Sequence, residues 1–193
     1  NAAALPLAPL RALDVAGRLR IGELKVSNLK LSDILVRLTG KDGVVRLAPV
    51  NASLYEGLFE GELSVNARGE TPRLAVKNTL AGVQAGPLLA DLTGEGRLTG
   101  TTRLNSDLTM AGADPAAIRR TLSGTLDFAF VEGAVKGVNI GRLIREARAK
   151  LKGRSLPPEK EEVQTDFTEL TGSVRLSDGL ARNDDLSAKA PLL

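Results

Sequence analysis

Residues 96–110, GRLTGTTRLNSDLTM, alternate between two kinds of side chain without a break. One set of alternate positions contains Leu98, Leu104 and Leu108, whereas the other set is polar throughout. A period of two residues is typical of a β-strand with one buried and one solvated face. At about 3.3 Å per residue, an unbroken strand of this length would span about 50 Å. The stretch therefore predicts an unusually long amphipathic strand.

The same alternation recurs at 13–21, 57–67, 122–130 and 170–176. Each segment is apolar on one side only, which is typical of an antiparallel sheet with one solvated face. We therefore predict an α+β fold that is predominantly β, a curled, groove-like antiparallel sheet of long amphipathic strands with two or three short helices at its face or end. The apolar face of this groove is predicted to consist of Leu19, Ile21, Leu63, Leu98, Leu104, Leu108, Leu126, Phe128, Phe130, Val174 and Leu176.

A short motif, apolar-x-Gly-x-apolar, lies inside these strands. It is centred on Gly17, Gly61, Gly124 and Gly172, with a degenerate copy at Gly100. Glycine weakens a strand, so a glycine that recurs on the apolar face needs a reason. We interpret these glycines as curvature positions that relieve crowding on the inner side of a bent sheet. The alternative is that they are strand-end or bulge glycines with no shared role.

Acid–glycine pairs at 42–43, 132–133 and 178–179 each follow an alternating run. Such pairs predict hairpin turns, because glycine tolerates a positive φ. The chain is therefore expected to be largely a meander of hairpins. We predict a single β-rich domain at 13–193, preceded by a terminal segment at 1–12 that is either disordered or the edge of a fragment.

Three helical segments interrupt the meander. Asp114 before a proline predicts a helix at 115–121, and 86–91 predicts a single helical turn. The longest predicted helix, 139–152, has apolar residues at helical spacing and a basic remainder. It either contacts anionic lipid headgroups or covers one opening of the sheet with its basic side chains in solvent. The candidate headgroup or surface contacts are Arg142, Arg145 and Arg148.

The composition argues against several function classes. The 193 residues include no Cys and no His, which removes the usual transition-metal ligands and the thiolate and His-based catalysts. The paired acids at 161–162 and 184–185 are interpreted as solvated surface groups. A net charge of +3 with interspersed signs, 3% aromatic residues and no Trp argue against a nucleic-acid interface and an outer-membrane barrel. We expect no enzymatic activity, no cofactor, no metal and no nucleic-acid partner.

Three stretches of the chain resemble a known family. They are 17–74, 122–151 and 165–193, and the last begins with TDF-x-x-LTGS and ends with NDDL-x-x-x-x-PLL. In order and spacing these stretches are similar to the C-terminal region of AsmA proteins, relatives of TamB and YhdP. The resemblance covers nearly the whole chain from about residue 13 onward.

The resemblance implies a protein of the Gram-negative envelope. Its periplasmic part would be attached to the inner membrane by an N-terminal helix outside this sequence, and we expect the chain to be a fragment. The family is implicated in outer-membrane biogenesis and in moving phospholipid between the two membranes, with a curled sheet shielding the acyl chains. The implied partners are a phospholipid or other envelope lipid and an envelope protein.

A second interpretation remains open. The chain is then a non-enzymatic structural or interaction module that assists outer-membrane protein assembly, with a filled core and no lipid. The two interpretations differ in whether the apolar face is filled by the protein itself.

Overall fold

The computed structural model describes residues 6–139, 142, 145, 149–151 and 163–190. The strands are β1 (Val15–Val26), β2 (Leu29–Lys41), β3 (Val44–Leu54), β4 (Gly57–Asn66), β5 (Arg73–Gln84), β6 (Thr101–Ala111), β7 (Ser123–Lys136), β8 (Gln164–Ser177), β9 (Leu180–Arg182) and β10 (Ser187–Lys189). The helices are α1 (Leu7–Ala12), α2 (Ala85–Thr93) and α3 (Pro115–Thr121). Helical residues also occur at 142, 145 and 149–151.

All ten strands belong to one antiparallel sheet. Strands β1 to β8 follow one another in chain order, and both short strands, β9 and β10, pair with β8. This is the meander that the repeated strand–turn–strand pattern predicts. The sheet is open and curled, with short helices accompanying it, and the predicted fold class is confirmed.

The strand register aligns apolar residues across the sheet. Leu104 of β6 pairs with Leu80 of β5 and with Phe128 of β7, and Leu126 of β7 pairs with Val174 of β8. Because side chains alternate along each strand, paired positions share a face. We call the face that carries these residues the apolar face and the opposite one the polar face.

The long strand predicted at 96–110 is shorter than expected. Strand β6 begins at Thr101, because Gly100 adopts a φ of 117° and interrupts it. The preceding residues still run along β7: Leu98 bridges Val135, and the Thr99 amide donates to the Ala134 carbonyl at 2.9 Å. Period two alone cannot reveal such an interruption, since the alternation of residue types continues through it.

Two of the three predicted acid–glycine turns are confirmed. Asp42-Gly43 joins β2 to β3, and Asp178-Gly179 joins β8 to β9. The turn predicted at 132–133 is wrong, because these residues lie inside β7, where Glu132 has a φ of 51°. A Cβ on Gly133 would lie 2.1 Å from the Thr99 carbonyl oxygen, so this glycine permits the close approach of the segment before β6.

The helices correspond partly to the predictions. Helix α3 is confirmed, and the Asp114 side chain accepts hydrogen bonds from the amides of Ala116 and Ala117, as an N-cap should. Helix α2 extends over Ala85–Thr93, more than the single turn predicted.

The terminal segment at 1–12, predicted to be disordered or the edge of a fragment, contains helix α1 at Leu7–Ala12. Arg11 fixes this helix to the β4–β5 connection, since its guanidinium donates to the carbonyls of Ala67 at 2.6 Å and Gly69 at 2.9 Å. These partners are more than fifty residues away in sequence, which is why local patterns give no sign of them.

The buried core of the described residues is small. Its buried hydrophobic residues are Ile34, Ala52, Leu54, Ala67, Val83, Ala85, Ala134 and Phe167. Four of these are alanines, and the largest fully buried side chains are Val83 and Pro72. The long apolar face is therefore not the inside of a conventional two-layer core.

Candidate functional site

The predicted apolar face is only half-buried in its middle. The partly exposed residues of this face include Leu104, Leu126 and Phe128. Leu19, on the edge strand β1, is 55% exposed. The main contacts in the described part of the chain join neighbouring strands, and α1, α2 and α3 each touch only one or two strands to any extent. Large apolar side chains thus share a surface that the sheet itself does not remove from water.

Two phenylalanines cover glycines on this face. The Phe59 ring comes within 2.6 Å of where a Cβ on Gly61 would lie, and the Phe128 ring within 2.8 Å of the corresponding position on Gly172. Aromatic rings laid over strand glycines are a known way to compensate for the missing side chain. Phe128 also lies 5.7 Å from Phe130 between ring centroids, in a tilted arrangement. These glycines make room for rings that lie along the sheet.

The other three motif glycines have different surroundings. Gly124 has a φ of 137°, and its Cβ would lie 2.0 Å from the Asp107 carbonyl oxygen. Gly100 also has a positive φ, whereas a Cβ on Gly17 would have nothing within 4 Å. A shared curvature role for the five glycines stays a prediction, and their local environments are of three kinds.

Two hydroxyl groups are buried on the apolar face without a partner. Thr102 and Ser106 of β6 are 2% and 8% exposed, and neither side-chain oxygen forms a hydrogen bond. They flank Leu104 at alternate positions, and Ser106 pairs with Asn78 across the β5–β6 ladder. The sequence indicates these two residues because each is a polar residue at a position of the alternating pattern that is otherwise apolar.

The polar face completes its own interactions. Lys77 and Asp107, which are cross-strand partners, form an ion pair at 2.9 Å, and this hydrogen bond is the main cause of the raised pKa of Lys77. The next pair is similar, since the Thr79 hydroxyl donates to Asn105 Oδ1 at 3.0 Å. A shallow depression of about 310 Å³ lies beside these groups.

The NDDL motif near the end of the chain supplies side-chain hydrogen bonds to β8 in the segment between β9 and β10, where no strand pairs with it on that edge. Between β9 and β10, Asp185 accepts hydrogen bonds from the Ser173 amide at 2.8 Å and from its hydroxyl at 2.6 Å. Asn183 donates to the Ser173 carbonyl at 2.7 Å. The hydroxyl bond is the first cause of the lowered pKa of the Asp185 carboxyl. Asp185 thus has a structural role beyond that of a solvated surface acid.

A cavity of about 1190 Å³ lies at one end of the sheet, beside α2. The Tyr55 hydroxyl donates to Asp91 Oδ2 at 2.6 Å and accepts from the Lys30 amide at 3.3 Å. Burial, followed by the hydrogen bond with Asp91, raises the pKa of Tyr55. The Tyr55 side chain thereby links the β3–β4 turn to helix α2 and to the β1–β2 hairpin. Sequence reasoning did not identify this site, because its parts come from distant segments.

The predicted basic helix is described only in part. The Arg142 amide donates to Asn139 Oδ1 at 2.8 Å, which agrees with a helix start capped by that asparagine. Arg142 and Arg145 are helical, whereas Arg148 lies outside the described residues. Headgroup contact by these arginines stays a prediction.

The described residues contain no cluster of three or more acidic, His or Cys residues that could hold a metal ion. Within the same ranges, no helix is long and apolar enough to cross a bilayer.

Comparison with known proteins gives the chain its family. No curated protein and no solved structure matches it. The model of the AsmA family matches residues 3–186, which is nearly the whole chain and includes the alternating strands and the NDDL motif. On this match, the chain belongs to the AsmA family.

Proposed function

We propose that this chain is the periplasmic part of an inner-membrane-anchored protein that carries phospholipid between the inner and outer membranes. The acyl chains lie along the apolar face, and the chain catalyses no reaction. The family suggests an outer-membrane biogenesis or lipid-transport context. We further propose that the protein is related to the wider group that includes TamB and YhdP.

One observation carries the proposal. Apolar side chains at matched cross-strand positions, such as Leu104 with Phe128 and Leu126 with Val174, form a continuous surface that is only half-buried. Soluble proteins rarely leave contiguous apolar patches of several hundred Å² in water. An acyl chain fits such a surface because it needs no polar recognition, and each buried methylene contributes about 0.8 kcal/mol.

The proposal is tested by photo-crosslinking in the full-length protein in cells. A photoreactive residue replaces Leu104 or Phe128 on the apolar face, and Thr101 or Asp127 on the polar face serves as the matched control. Asp127 and Phe128 are adjacent residues of β7, and Thr101 and Leu104 lie three residues apart on β6, so the two sets differ mainly in face.

We expect lipid adducts from the two apolar-face positions and none from the controls. Adducts only from Thr101 and Asp127 would contradict the acyl-chain site. Protein adducts in place of lipid at Leu104 and Phe128 would instead favour an interaction module that docks an assembly factor on the same face.

A further inference from the structure

The cavity at the end of the sheet opens where the wall of strands is interrupted. β1 and β2 remain paired as far as Val26 and Leu29, whereas the β2–β3 ladder stops at Ser32 and Ser53. The tip of the β1–β2 hairpin therefore projects beyond the sheet without a partner on β3. We call the opening between residues 23–32 and residues 53–58, with α2 beside it, the end notch.

Tyr55 holds the end notch together. Its hydroxyl bonds to Asp91 of α2 and to the Lys30 amide of the hairpin tip. The turn that carries it is unusual, because Tyr55 and Glu56 have φ values of 45° and 68°. Left-handed conformations are uncommon for bulky residues, and the confirmed turns at 42–43 and 178–179 use aspartate and glycine instead. The notch is thus built from specific side-chain contacts.

The inner side of the end notch is apolar. Leu24 and Leu31 are cross-strand partners that line it, together with Leu54. Leu54 follows Val50 and Ala52 at alternate positions of β3, so it continues the apolar face. An acyl chain on that face can therefore extend into the notch without crossing a polar barrier. We call these three residues the leucine wall.

The rim of the end notch carries charges of both signs. Lys25 and Lys30 are directly opposite each other across the β1–β2 ladder, an arrangement that is unfavourable for like charges. They alternate with Leu24 and Leu31, so they lie on the polar face of the hairpin, whereas the leucine wall lies on its apolar face. Neither lysine forms an ion pair in the part of the chain that the structure describes. Two carboxylates, Glu23 and Glu56, also line the notch, while Asp91 is occupied by Tyr55. Two basic and two acidic groups remain for a ligand.

We propose that the end notch binds the polar head of an amphiphile that carries both a phosphate and an amine. Lys25 and Lys30 bind the phosphate, since a phosphate between them removes their mutual repulsion. Glu23 and Glu56 bind the amine beside the lysines, and the acyl chain passes through the open edge of β2, where the β2–β3 ladder has ended, to the leucine wall on the apolar face. This inference rests on the proposed function and adds the class of head group to it.

The chain contains its own reporter for this site. Tyr55 is the only tyrosine and there is no Trp, so intrinsic fluorescence reports on the end notch alone. The chain is titrated with lysophosphatidylethanolamine below its micellar concentration while the tyrosine emission is followed. We expect a saturable change, and about tenfold weaker binding for the double variant Lys25→Gln/Lys30→Gln. Lys77→Gln, which alters a lysine already paired with Asp107, is the matched control and should bind normally.

A second titration tests the contribution of the amine separately from that of the phosphate. Lysophosphatidylglycerol has the phosphate but no amine, and we expect it to bind several-fold more weakly than the ethanolamine lipid. This preference should disappear in Glu23→Gln/Glu56→Gln. Inorganic phosphate that bound as tightly as the lipid would overturn the proposal, because the notch would then be a simple anion site.

The outcomes distinguish this inference from the proposed function. Equal affinities of the double lysine variant and the unaltered chain would overturn the head-group site, even if lipid adducts form at Leu104. Lysine-dependent binding in the notch without adducts at Leu104 would support the head-group site and contradict the acyl-chain path along the sheet.

Discussion

The two faces of the sheet treat their polar groups in opposite ways. On the polar face, Lys77 pairs with Asp107 and Thr79 with Asn105, each through a partner on the adjacent strand. On the apolar face, the Thr102 and Ser106 hydroxyls are buried and unpaired. On the polar face, these polar groups therefore find their partners within the sheet itself. On the apolar face, the half-buried leucines stay in contact with water unless a ligand or a partner covers them.

The largest difference between the two faces is expected for substitution by aspartate, beginning with Leu104→Asp on the apolar face. Leu104 lies between Leu80 and Phe128 on the apolar face, where a carboxylate finds no partner on either neighbouring strand. Losing the apolar contacts and partly desolvating a charge should together destabilise the chain by about 3 kcal/mol. Urea unfolding followed by circular dichroism measures this loss.

The matched control is Thr101→Asp, on the exposed polar side of the same strand. It should change the free energy of unfolding by less than about 0.5 kcal/mol. Equal effects of the two substitutions would show that the two faces do not differ in burial at these positions.

An effect of similar size is expected at one of the motif glycines. Gly124→Ala should destabilise by about 3 kcal/mol, because the new Cβ would meet the Asp107 carbonyl and the positive φ is unfavourable for alanine. Gly17→Ala, with open space around it, should stabilise by about 0.5 kcal/mol by reducing the freedom of the unfolded chain. Thermal unfolding of both variants checks the contrast. Similar losses at the two positions would instead favour one shared curvature role.

A smaller effect, of opposite sign, is expected from Thr102→Val. The substitution keeps the shape of the side chain and removes a buried hydroxyl that has no hydrogen-bond partner. It should stabilise the chain by about 1 kcal/mol, measured as a higher urea midpoint. Destabilisation would indicate that the hydroxyl is paired, for example through an ordered water. Thr101→Val, on the exposed side, should leave the midpoint nearly unchanged.

The sequence predicts the sheet well because its information is local. Alternation over 122–130 and 170–176 is enough to predict β7 and β8, and hairpin turns then align neighbouring strands. The interruption at Gly100 and the irregularity at Glu132 cannot be predicted in this way. Both depend on how the 96–100 segment and β7 approach each other, and the alternation of residue types does not record that approach.

The candidate site likewise has a part that local sequence patterns predict and a part that they do not. Membership of the apolar face can be predicted for residues such as Leu104 and Phe128, whose position in an alternating strand determines their side. The end notch could not be predicted, because Tyr55, Asp91 and Lys30 come from three segments that only the folded sheet brings together. Helix α1 was missed for the same reason, since its anchor is the contact of Arg11 with a distant turn.

The smallest effect is expected at the edge of the polar face, where Asp185 completes the ladder beside β8. Its folded pKa is lowered, chiefly by the Ser173 hydroxyl, from an unfolded value of about 3.9. A carboxyl with a depressed folded pKa contributes stability that is fully present above the unfolded pKa and is lost as the pH falls through the folded pKa. Asp185→Asn should therefore lower the urea midpoint slightly at neutral pH and leave it unchanged in strong acid, where Asp185 is protonated in both states. Asp184→Asn is the control, because its exposed ion pair with Arg182 contributes little at either pH. An equal loss for Asp185→Asn at both pH values would show that the hydrogen-bond geometry, and not the charge, makes this contribution.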